Sequence, residues 1–491
     1  MKKLKILSIL LICTIFAVTA TACGNNEEPL NDRPANTEEI IENEDATVES
    51  EESSYWDTLG ESDFGGYAFR ILDANDHPEQ WANVPEEEFT GEAINDAMIL
   101  RNMLIEEKFN IKFEYELITS GGVNTLRRNV QAGDDSHDIV ISRAIGGNLE
   151  NLATGGMLQN LAALPHLSLE SPWWSRLMYQ NMQFDGKLFF TMGDVMPSIY
   201  TGYTAMFYNQ QMYQDYGVQD DLYKMVFDGT WTLDVLERIT KDVHQDVNMD
   251  GIMHAHDDIF GVIIEENTLA SNKLAVSAGI NLSTVRDGAI TVDYNSEYVI
   301  SRINRLSEVY RTNRTVQRTE LGGFHDLINR TFSEGRAMFL VHFLESAMIN
   351  LRSVEQDYGI LPLPKYNEQQ ESYISFINPW VFSFVGIPLT ADAERSAFIL
   401  EAMAYASYDI VRPQSYDTFL HHKAARNEES ARVIDMIIES SYLDLNGVYN
   451  WGGSSDILQR AMFQGADIVS NFERSEGRIQ TAIDNYIDAL D

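Results

Sequence analysis

Tyr67-Ala68-Phe69-Arg70-Ile71-Leu72 is the stretch that decides the fold, because it is the first of three short apolar runs that alternate with helical patterns. It predicts a buried β-strand, and further strands are predicted over 111–117 and 138–142. Apolar side chains near helical spacing predict helices over 91–109 and 123–132, between those strands. This alternation of strand and helix indicates a parallel sheet with right-handed crossovers, so the predicted fold class is α/β.

Polar residues follow two of these strands at the point where each strand ends. Asn75 and Asp76 come after the first strand, and Arg143 comes directly after the third. Ligands of open parallel sheets bind beyond the carboxyl ends of the strands. We therefore expect Asn75, Asp76 and Arg143 to form hydrogen bonds with a ligand.

The N-terminus has the pattern of an export signal. Three lysines among the first five residues precede an almost wholly apolar run, and small residues then lead to Cys23. This resembles the lipobox of bacterial lipoproteins, although Ala20 stands where that family usually has leucine. Residues 1–22 are expected to be a lipoprotein signal peptide and Cys23 the lipidated residue. The alternatives are a simple secretory signal and an uncleaved membrane helix, but the apolar run is shorter than the ~20 residues a span needs.

Charge and cysteine content exclude several classes of function. The formal net charge is −40 at pH 7, and removing the three positive charges of the signal leaves −43. A field of this sign repels nucleic-acid phosphates and anionic lipid, so we expect no nucleic-acid partner and membrane contact through the lipid anchor only. Cys13 leaves with the signal and Cys23 is acylated. A disulfide scaffold, a Cys-ligated zinc site and a cysteine nucleophile are therefore excluded.

An acidic linker separates the proposed anchor from the folded body. Residues 23–60 are rich in Glu, Asp, Asn and Thr and hold few large apolar side chains. Such a composition predicts a disordered, self-repelling tether that gives the body reach through the cell envelope. An acidic interaction tail is the alternative.

Four segments of the body resemble the extracellular solute-binding proteins of ABC importers, in particular the oligosaccharide-binding group that includes maltose-binding protein. They are AMFYNQQMYQDYGV at 205–218, GTWTLD at 229–234, FSEGRAMF at 332–339 and YGILPLPK at 358–365. In that family, the first segment crosses between the lobes and the second starts a helix. The third forms a helix, a glycine turn and a strand, and the fourth returns the chain to the first lobe. The local patterns agree, since Thr232 can cap a helix over 233–243 and Trp231 is expected to be buried.

The resemblance implies a two-lobed periplasmic-binding-protein-like fold of type II, with a hinge between the lobes. Lobe one would comprise 66–203 plus 357–407, and lobe two 204–356 plus 408–491. It also implies a receptor rather than an enzyme, which delivers a carbohydrate, in the first place an oligosaccharide, to the permease subunits of an ABC importer at the extracellular face of the cell membrane. We expect a monomer.

Aromatic residues beside Pro, Gly or Asn, or near the proposed crossing, are candidates for the ligand site. Sugars present apolar C–H faces that pack on aromatic rings, and hydroxyls that polar side chains bind. The candidates are Trp174, Tyr200, Tyr203, Trp380 and Trp451. For each tryptophan, the alternative is an ordinary core position. The aromatic content favours carbohydrate over the peptides, polyamines and metals that related folds bind.

Residues 246–257 fit a calcium loop of the form D-x-N-x-D-G with a carboxylate at the twelfth position. The expected ligands are Asp246, Asn248, Asp250, the carbonyl of Ile252, and Asp257 with Asp258 as a substitute. Gly251 permits the sharp turn, and the ion would be a structural Ca²⁺. The alternative is an Asn/Asp/Gly turn that binds nothing. Zinc at His254 and His256 is disfavoured, because hard oxygen ligands predominate.

Two other functions stay open. A surface glycan-capturing or sensory protein would have the same fold without a transporter, and the sequence does not separate it from an importer subunit. A glycoside hydrolase needs two carboxylates about 5 or 9 Å apart across a cleft, but acidic residues are too abundant here for their presence to test this. The sequence contains no nucleophile elbow, zincin helix or phosphate loop.

Overall fold

The computed structural model describes residues 55–75, 83–200, 202–312, 316–317, 326–351, 354, 357–419 and 427–490, which belong to one unit of the chain, 53–491. The proposed signal peptide, Cys23 and the tether up to residue 54 lie outside the described residues, as does Asp76. The side chain of Tyr200 is also outside the description. None of the described helices combines the length and the apolar character needed to cross a bilayer.

Helices and strands alternate through most of the described chain. The helices are α1 (Tyr55–Leu59), α2 (Ala93–Phe109), α3 (Gly122–Ala132), α4 (Leu149–Thr154), α5 (Arg176–Met182), α6 (Gln210–Asp215), α7 (Leu222–Phe227), α8 (Leu233–Thr240), α9 (Thr268–Ser277), α10 (Glu297–Thr312), α11 (Asp326–Ser333), α12 (Glu345–Ile349), α13 (Ala393–Phe419), α14 (Glu428–Glu439), α15 (Leu445–Tyr449), α16 (Ser454–Gln464) and α17 (Ile468–Leu490). The strands are β1 (Tyr67–Asp73), β2 (Ile111–Leu117), β3 (Ile139–Ser142), β4 (Thr204–Asn209), β5 (Phe260–Ile263), β6 (Glu265–Glu266), β7 (Thr284–Arg286), β8 (Ala289–Thr291), β9 (Val316–Gln317), β10 (Ala337–Phe343), β11 (Tyr358–Leu361), β12 (Ser375–Phe376), β13 (Phe384–Gly386) and β14 (Ser441–Tyr442).

The first sheet has the strand order β2-β1-β3-β13. β1 pairs in parallel with β2, from Tyr67 opposite Ile111 to Asp73 opposite Leu117, and also in parallel with β3. α2 and α3 connect these three strands, so the parallel arrangement predicted from the alternating pattern is confirmed. β13 is an antiparallel edge neighbour of β3 and brings a late part of the chain back to this sheet.

The second sheet has the strand order β11-β4-β10-β5, and every residue of these four strands is buried. β10 follows a left-handed turn at Gly335 (φ +72°), which confirms the helix, turn and strand expected over 332–339. The sequence places 357–407 in lobe one, but β11 forms main-chain hydrogen bonds with β4 of the second sheet. The chain therefore returns to the first sheet after Leu361. The boundary proposed at residue 407 lies inside α13, a continuous helix that packs against α2.

Two crossing segments between the sheets run side by side. Tyr203 pairs with Ile377 in an antiparallel bridge. One residue on, the Thr204 hydroxyl donates to the carbonyl oxygen of Phe376, and the Ser375 hydroxyl donates to that of Thr204, both at 2.8 Å. The fold is therefore a two-lobed α/β structure in which each lobe has its own sheet.

Trp231 is a core residue, as the sequence predicts. It has no exposed surface, its indole N–H donates to the carbonyl oxygen of Pro362 at 3.0 Å, and its ring stacks on Phe339. Thr232 does stand at the N-cap of α8, but its side chain does not form the expected capping hydrogen bond. Its backbone is extended and lies in a bridge with Lys365, whose carbonyl oxygen accepts the N–H of Leu233 instead.

Candidate functional site

A cavity of about 580 Å³ takes its walls from both lobes. One wall comes from the loop after β3, from α4 and from the segment before β13. The other wall comes from α9, from the 447–451 segment, and from α16 and α17. The lining residues are Ile145, Gly146, Glu150, Asn151, Thr154, Thr268, Leu269, Asn272, Trp380, Gly447, Val448, Tyr449, Asn450, Trp451, Ser455, Ala482, Asn485 and Tyr486.

A second cavity, of about 640 Å³, is lined by residues 226–230, 365–373 and 436–440. It takes no residue from the strands of the first sheet or from the loops that follow them. A receptor that closes two lobes on a ligand needs contacts from both lobes. The first cavity is therefore the better candidate for the ligand site, although it is slightly smaller.

Three aromatic rings form one wall of the first cavity. Tyr449 and Trp451 are parallel, with ring centroids 5.7 Å apart and 5° between the planes. Tyr486, on α17, lies 4.6 Å from Tyr449 and 5.3 Å from Trp451, measured between centroids. Only 4% of Trp451 is exposed, so it presents a small part of its surface to the cavity. Stacked rings of this kind give a rigid apolar surface beside the polar groups of the lining.

Trp380 lines the same cavity and is 39% exposed. Its backbone N–H donates to the Asn378 side chain at 3.0 Å, which forms the turn before β13. The Arg143 guanidinium carbon lies 4.8 Å from the centroid of the Trp380 ring. Two of the predicted ligand residues, Trp380 and Trp451, are thus brought to one cavity, and a third, Arg143, contacts one of them.

Glu150 orders the loop that lies against Trp380. Its carboxylate accepts the backbone N–H of Gly147 at 2.6 Å and that of Asn148 at 2.8 Å. Burial raises the pKa of Glu150, while the backbone donors act in the opposite direction. Gly146 and Gly147 both have positive φ, +85° and +91°, a conformation that glycine adopts without steric strain. The carboxylate therefore holds a loop whose shape depends on two glycines.

Two polar side chains of the lining are buried without a hydrogen-bond partner among the described residues. They are Asn272, through Oδ1, and Ser455, through Oγ. Asn272 is 3% exposed and Ser455 is 2% exposed. A polar atom buried without a partner costs free energy, so native structures contain few of them. Both residues line the cavity, so a molecule bound there could supply the missing partners.

Asn75 does not line this cavity. It is 1% exposed, its side-chain N–H₂ donates to Ser383 at 2.7 Å, and its backbone N–H donates to Asp73 at 3.0 Å. Asn83 joins the same buried polar cluster through Asp73 and Ser383. Asn75 thus lies at the end of β1, as predicted, but in this structure it bonds to protein groups.

Trp174 and Tyr203 are buried, each only 4% exposed. The indole N–H of Trp174 donates to Glu401 at 2.8 Å, and Tyr203 packs edge-on against Phe382 at 5.1 Å. Burial also raises the pKa of Tyr203. The placement of Trp174 favours the core position that the sequence left open for the tryptophans, and Tyr203 is buried as well.

The loop at 246–257 has the turn that its sequence predicts. Asp246 Oδ2 accepts the N–H of Gly251 at 2.8 Å, and Gly251 has a positive φ of +83°. Asn248 and Asp250 each accept a backbone N–H two residues further on. Asp258, the substitute for Asp257, is fully buried and accepts the N–H groups of Val247 and His254.

The fit of this loop to a calcium ion is partial. Asp246 Oδ1 is enclosed and has no partner among the described residues, which leaves one carboxylate oxygen for a cation. Within the described part of the chain, however, no three side chains of the types His, Cys, Asp and Glu form a group that could hold a metal. The carboxylates of Asp246, Asp250 and Asp257 therefore do not form such a group. The other predicted ligands, the Asn248 amide and the Ile252 carbonyl, are of types that this grouping does not include.

Three solved structures illustrate what this fold resembles. Cyclic alpha-maltosyl-1,6-maltose binding protein from Arthrobacter globiformis has a TM-score of 0.57 and 11% identity, covering 86% of this chain and 100% of that one. UgpB from Mycobacterium tuberculosis, in complex with glycerophosphocholine, has a TM-score of 0.54 and 16% identity, covering 86% and 99%. The ABC substrate-binding protein Lmo0181 from Listeria monocytogenes, in complex with cycloalternan, has a TM-score of 0.53 and 13% identity, covering 85% and 99%.

These likenesses define the fold of the chain. It has the two-lobed α/β fold of ABC substrate-binding proteins, as the sequence motifs predict. The structures named are those of binding proteins, and two of them are described with cyclic sugars while one holds glycerophosphocholine. No family model matches the chain, and no curated protein matches it.

Proposed function

We propose that this chain is an extracellular solute receptor that binds a carbohydrate in the 580 Å³ cavity. The observation that carries the proposal is the composition of that cavity, in which Trp380 comes from one lobe and the stacked pair Tyr449 and Trp451 from the other. Sugar rings have apolar faces that pack on such rings, and hydroxyls that Asn, Ser and Thr side chains bind. The sugar ligands of the Arthrobacter and Listeria proteins support this class.

Melting experiments with a panel of oligosaccharides test this proposal. A saccharide at 100 times its dissociation constant should raise the unfolding free energy by about 2.7 kcal/mol. Trp380→Ala should abolish the shift, because the ring is exposed in the cavity and its loss removes a packing surface. Phe89→Ala is the matched control, since Phe89 is an exposed aromatic that does not line the cavity. Absence of any shift across a broad panel would contradict the carbohydrate proposal.

The receptor is proposed to work from the outer face of the membrane, attached by a lipid on Cys23. The signal pattern of residues 1–22 and the acidic composition of the proposed tether support this placement. The sequence extends that tether to residue 60, but residues 55–59 form α1, which packs against the core. Growth with a clickable fatty acid should label the protein, and Cys23→Ser should lose both the label and the membrane association. Labelling that persists in Cys23→Ser would rule out this anchor.

Delivery to an ABC importer is the final part of the proposal. The fold supports it, because the similar structures include ABC substrate-binding proteins. Deleting the gene should remove uptake of the saccharide that stabilises the protein. Normal uptake after deletion would favour the alternative, a surface glycan-binding or sensory protein without a transporter.

Glycoside hydrolysis is the less favoured alternative. Such enzymes use two carboxylates flanking the scissile bond. In the described lining of the cavity the carboxylate is Glu150, and both its oxygens already accept backbone N–H groups. Release of reducing ends that survives purification would nevertheless overturn the receptor proposal.

We also propose a structural Ca²⁺ ion in the loop at 246–257, with Asp246, Asn248, Asp250 and the carbonyl of Ile252 as ligands. Asp258 replaces Asp257 as the buried carboxylate of the loop. Its two hydrogen bonds to Val247 and His254 join the ends of the loop, so an ion would strengthen a turn that already exists.

A further inference from the structure

The cavity lining differs sharply from the rest of the chain in its charge. Its described residues include no Lys, Arg or His, and its one acidic side chain is Glu150. Arg143 contacts the Trp380 ring but does not line the cavity. The remaining polar side chains of the lining are neutral amides, hydroxyls and phenols.

The unpartnered atoms of Asn272 and Ser455 belong to neighbouring helices. Asn272 lies in α9, and Ser455 lies in the first turn of α16. The hydroxyl of Ser271 donates to the carbonyl oxygen of Ser455 at 3.4 Å and so joins the two helices directly beside these side chains. A ligand group that approaches this wall meets an amide oxygen, which only accepts, and a hydroxyl, which both donates and accepts.

We propose that Asn272 and Ser455 bind a hydroxyl of a neutral saccharide, and that the cavity selects neutral saccharides against uronic acids and phosphate esters. This inference rests on the proposed carbohydrate receptor and specifies its substrate class. A sugar hydroxyl suits either atom, since it can donate to the Asn272 oxygen and can both donate to and accept from the Ser455 hydroxyl.

The cavity lining disfavours an anionic group on the ligand. Burying a carboxylate or phosphate requires a countercharge or several donors, and the described lining offers no cationic side chain. Glu150 adds a like charge within the cavity, and the chain as a whole carries a formal net charge of −40. Discrimination therefore comes from a repulsive charge as well as from the lack of a cationic side chain in the described lining.

Matched pairs of neutral and acidic saccharides test the charge selectivity of the full chain, purified in detergent. The pairs are galactotriose with trigalacturonate, mannotriose with trimannuronate, and maltotriose with its 6-phosphate. Glycerophosphocholine, a zwitterion that carries a phosphodiester anion, serves as a probe that is not a sugar. Calorimetry should show that the neutral member of the bound pair is at least tenfold tighter, and that glycerophosphocholine does not bind.

Variants then test the two side chains with the tightest neutral saccharide. Asn272→Ala and Ser455→Ala should each weaken binding tenfold or more, without lowering the melting temperature of the ligand-free protein, because Asn272 Oδ1 and Ser455 Oγ have no partner among the described residues. Ser277→Ala is the control, since Ser277 is buried in α9 but bonds to Leu274 of its own helix. Its affinity should equal that of the wild type.

Different outcomes would contradict neutral selectivity and the proposed carbohydrate receptor. Equal or tighter binding of an acidic partner or of glycerophosphocholine, or unchanged saccharide affinity in both variants, would overturn neutral selectivity through Asn272 and Ser455 while the carbohydrate receptor stands. Failure of every saccharide to bind would overturn the carbohydrate receptor and this inference with it.

Discussion

A Cβ atom on Gly146 would lie 2.7 Å from Cη2 of Trp380, closer than real side chains approach one another. The position of the Trp380 ring therefore depends on the absence of a side chain at Gly146, in the loop after β3. Gly146 also has a φ of +85°, so two independent reasons require glycine there.

Gly146→Ala should weaken saccharide binding about tenfold or more, because it displaces the Trp380 ring. It should also lower stability by roughly 1–2 kcal/mol through backbone strain. Gly156→Ala isolates the strain, since Gly156 has a φ of +64° but no neighbour within 4 Å of the added methyl group. Calorimetric titration of both variants would contradict the argument if the two bound the saccharide equally well.

Glu401 joins the N-terminal helix to the core of the first lobe. Its fully buried carboxylate accepts hydrogen bonds from Tyr55, Trp173 and Trp174 at 2.7–2.9 Å, and a longer one from the backbone N–H of Ser168. Glu401→Gln puts an N–H₂ group where these donors need an acceptor, so at least one of them loses its partner.

Urea unfolding should show that Glu401→Gln loses about 2–3 kcal/mol of unfolding free energy. Glu394→Gln, an exposed position in the first turn of the same helix, should stay within about 0.5 kcal/mol of the wild type. A Glu401→Gln protein as stable as the Glu394→Gln protein would show that the hydrogen bonds of Glu401 contribute little.

The fold was predictable where a local pattern identifies each element. The alternating pattern over 67–142 predicts β1, β2 and β3 correctly, because each strand is a short apolar run and helical patterns separate the three runs. β11 and β13 are short buried runs whose partners lie far away in the sequence, and no local pattern reveals which sheet they join. The sequence assigns 358–361 to lobe one, whereas β11 pairs with β4 of the second sheet.

The candidate site was predictable only in part. Trp380 and Trp451 stand beside turn residues, which is a local sign of a ring held at a surface. Tyr486 and Asn272 lie within helices, and they reach the cavity through the packing of those helices, for which the sequence has no local sign. Trp174 also adjoins a turn, but its ring is buried. Its indole N–H donates to Glu401, which lies far away in the sequence.

Asp73 should make stability depend on pH. Burial at the end of β1 raises its pKa from 3.8 to about 6. Because the folded chain binds this proton more tightly than the unfolded chain, the stability it contributes is fully present below about pH 3.8 and is lost as the pH rises through about 6. Asp73→Asn removes this dependence, since an amide does not titrate in this range.

Urea unfolding at pH 4, 5, 6 and 7 measures the effect. The unfolding free energy of Asp73→Asn relative to the wild type should rise by about 2 kcal/mol from pH 4 to pH 7, since the unfolded group is already largely ionised at pH 4. Asp57→Asn, at an exposed position of α1, should show no such trend. A constant difference between Asp73→Asn and the wild type across this range would mean that Asp73 titrates normally in the folded chain.

Calcium should stabilise the chain through the loop at 246–257. Asp246 Oδ1 is enclosed without a partner, and Asp258 already joins the ends of the loop. Calcium at 100 times its dissociation constant should therefore raise the unfolding free energy by about 2.7 kcal/mol over the chelated protein. Asp246→Asn should lose most of this gain, because it keeps an oxygen for the N–H of Gly251 but removes the charge that attracts the ion.

Two controls separate a bound ion from general screening of the acidic chain. Asp242→Asn removes a carboxylate from an exposed position just before the loop and should keep the full calcium effect. Magnesium at the same concentration should stabilise far less, because Mg²⁺ demands near-ideal octahedral geometry and gives up its water reluctantly. Identical melting with calcium and with excess chelator would leave the loop as an Asn/Asp/Gly turn. A calcium effect that persists in Asp246→Asn would contradict this site, because the enclosed Asp246 Oδ1, which has no partner among the described residues, is the atom on which the proposed site rests.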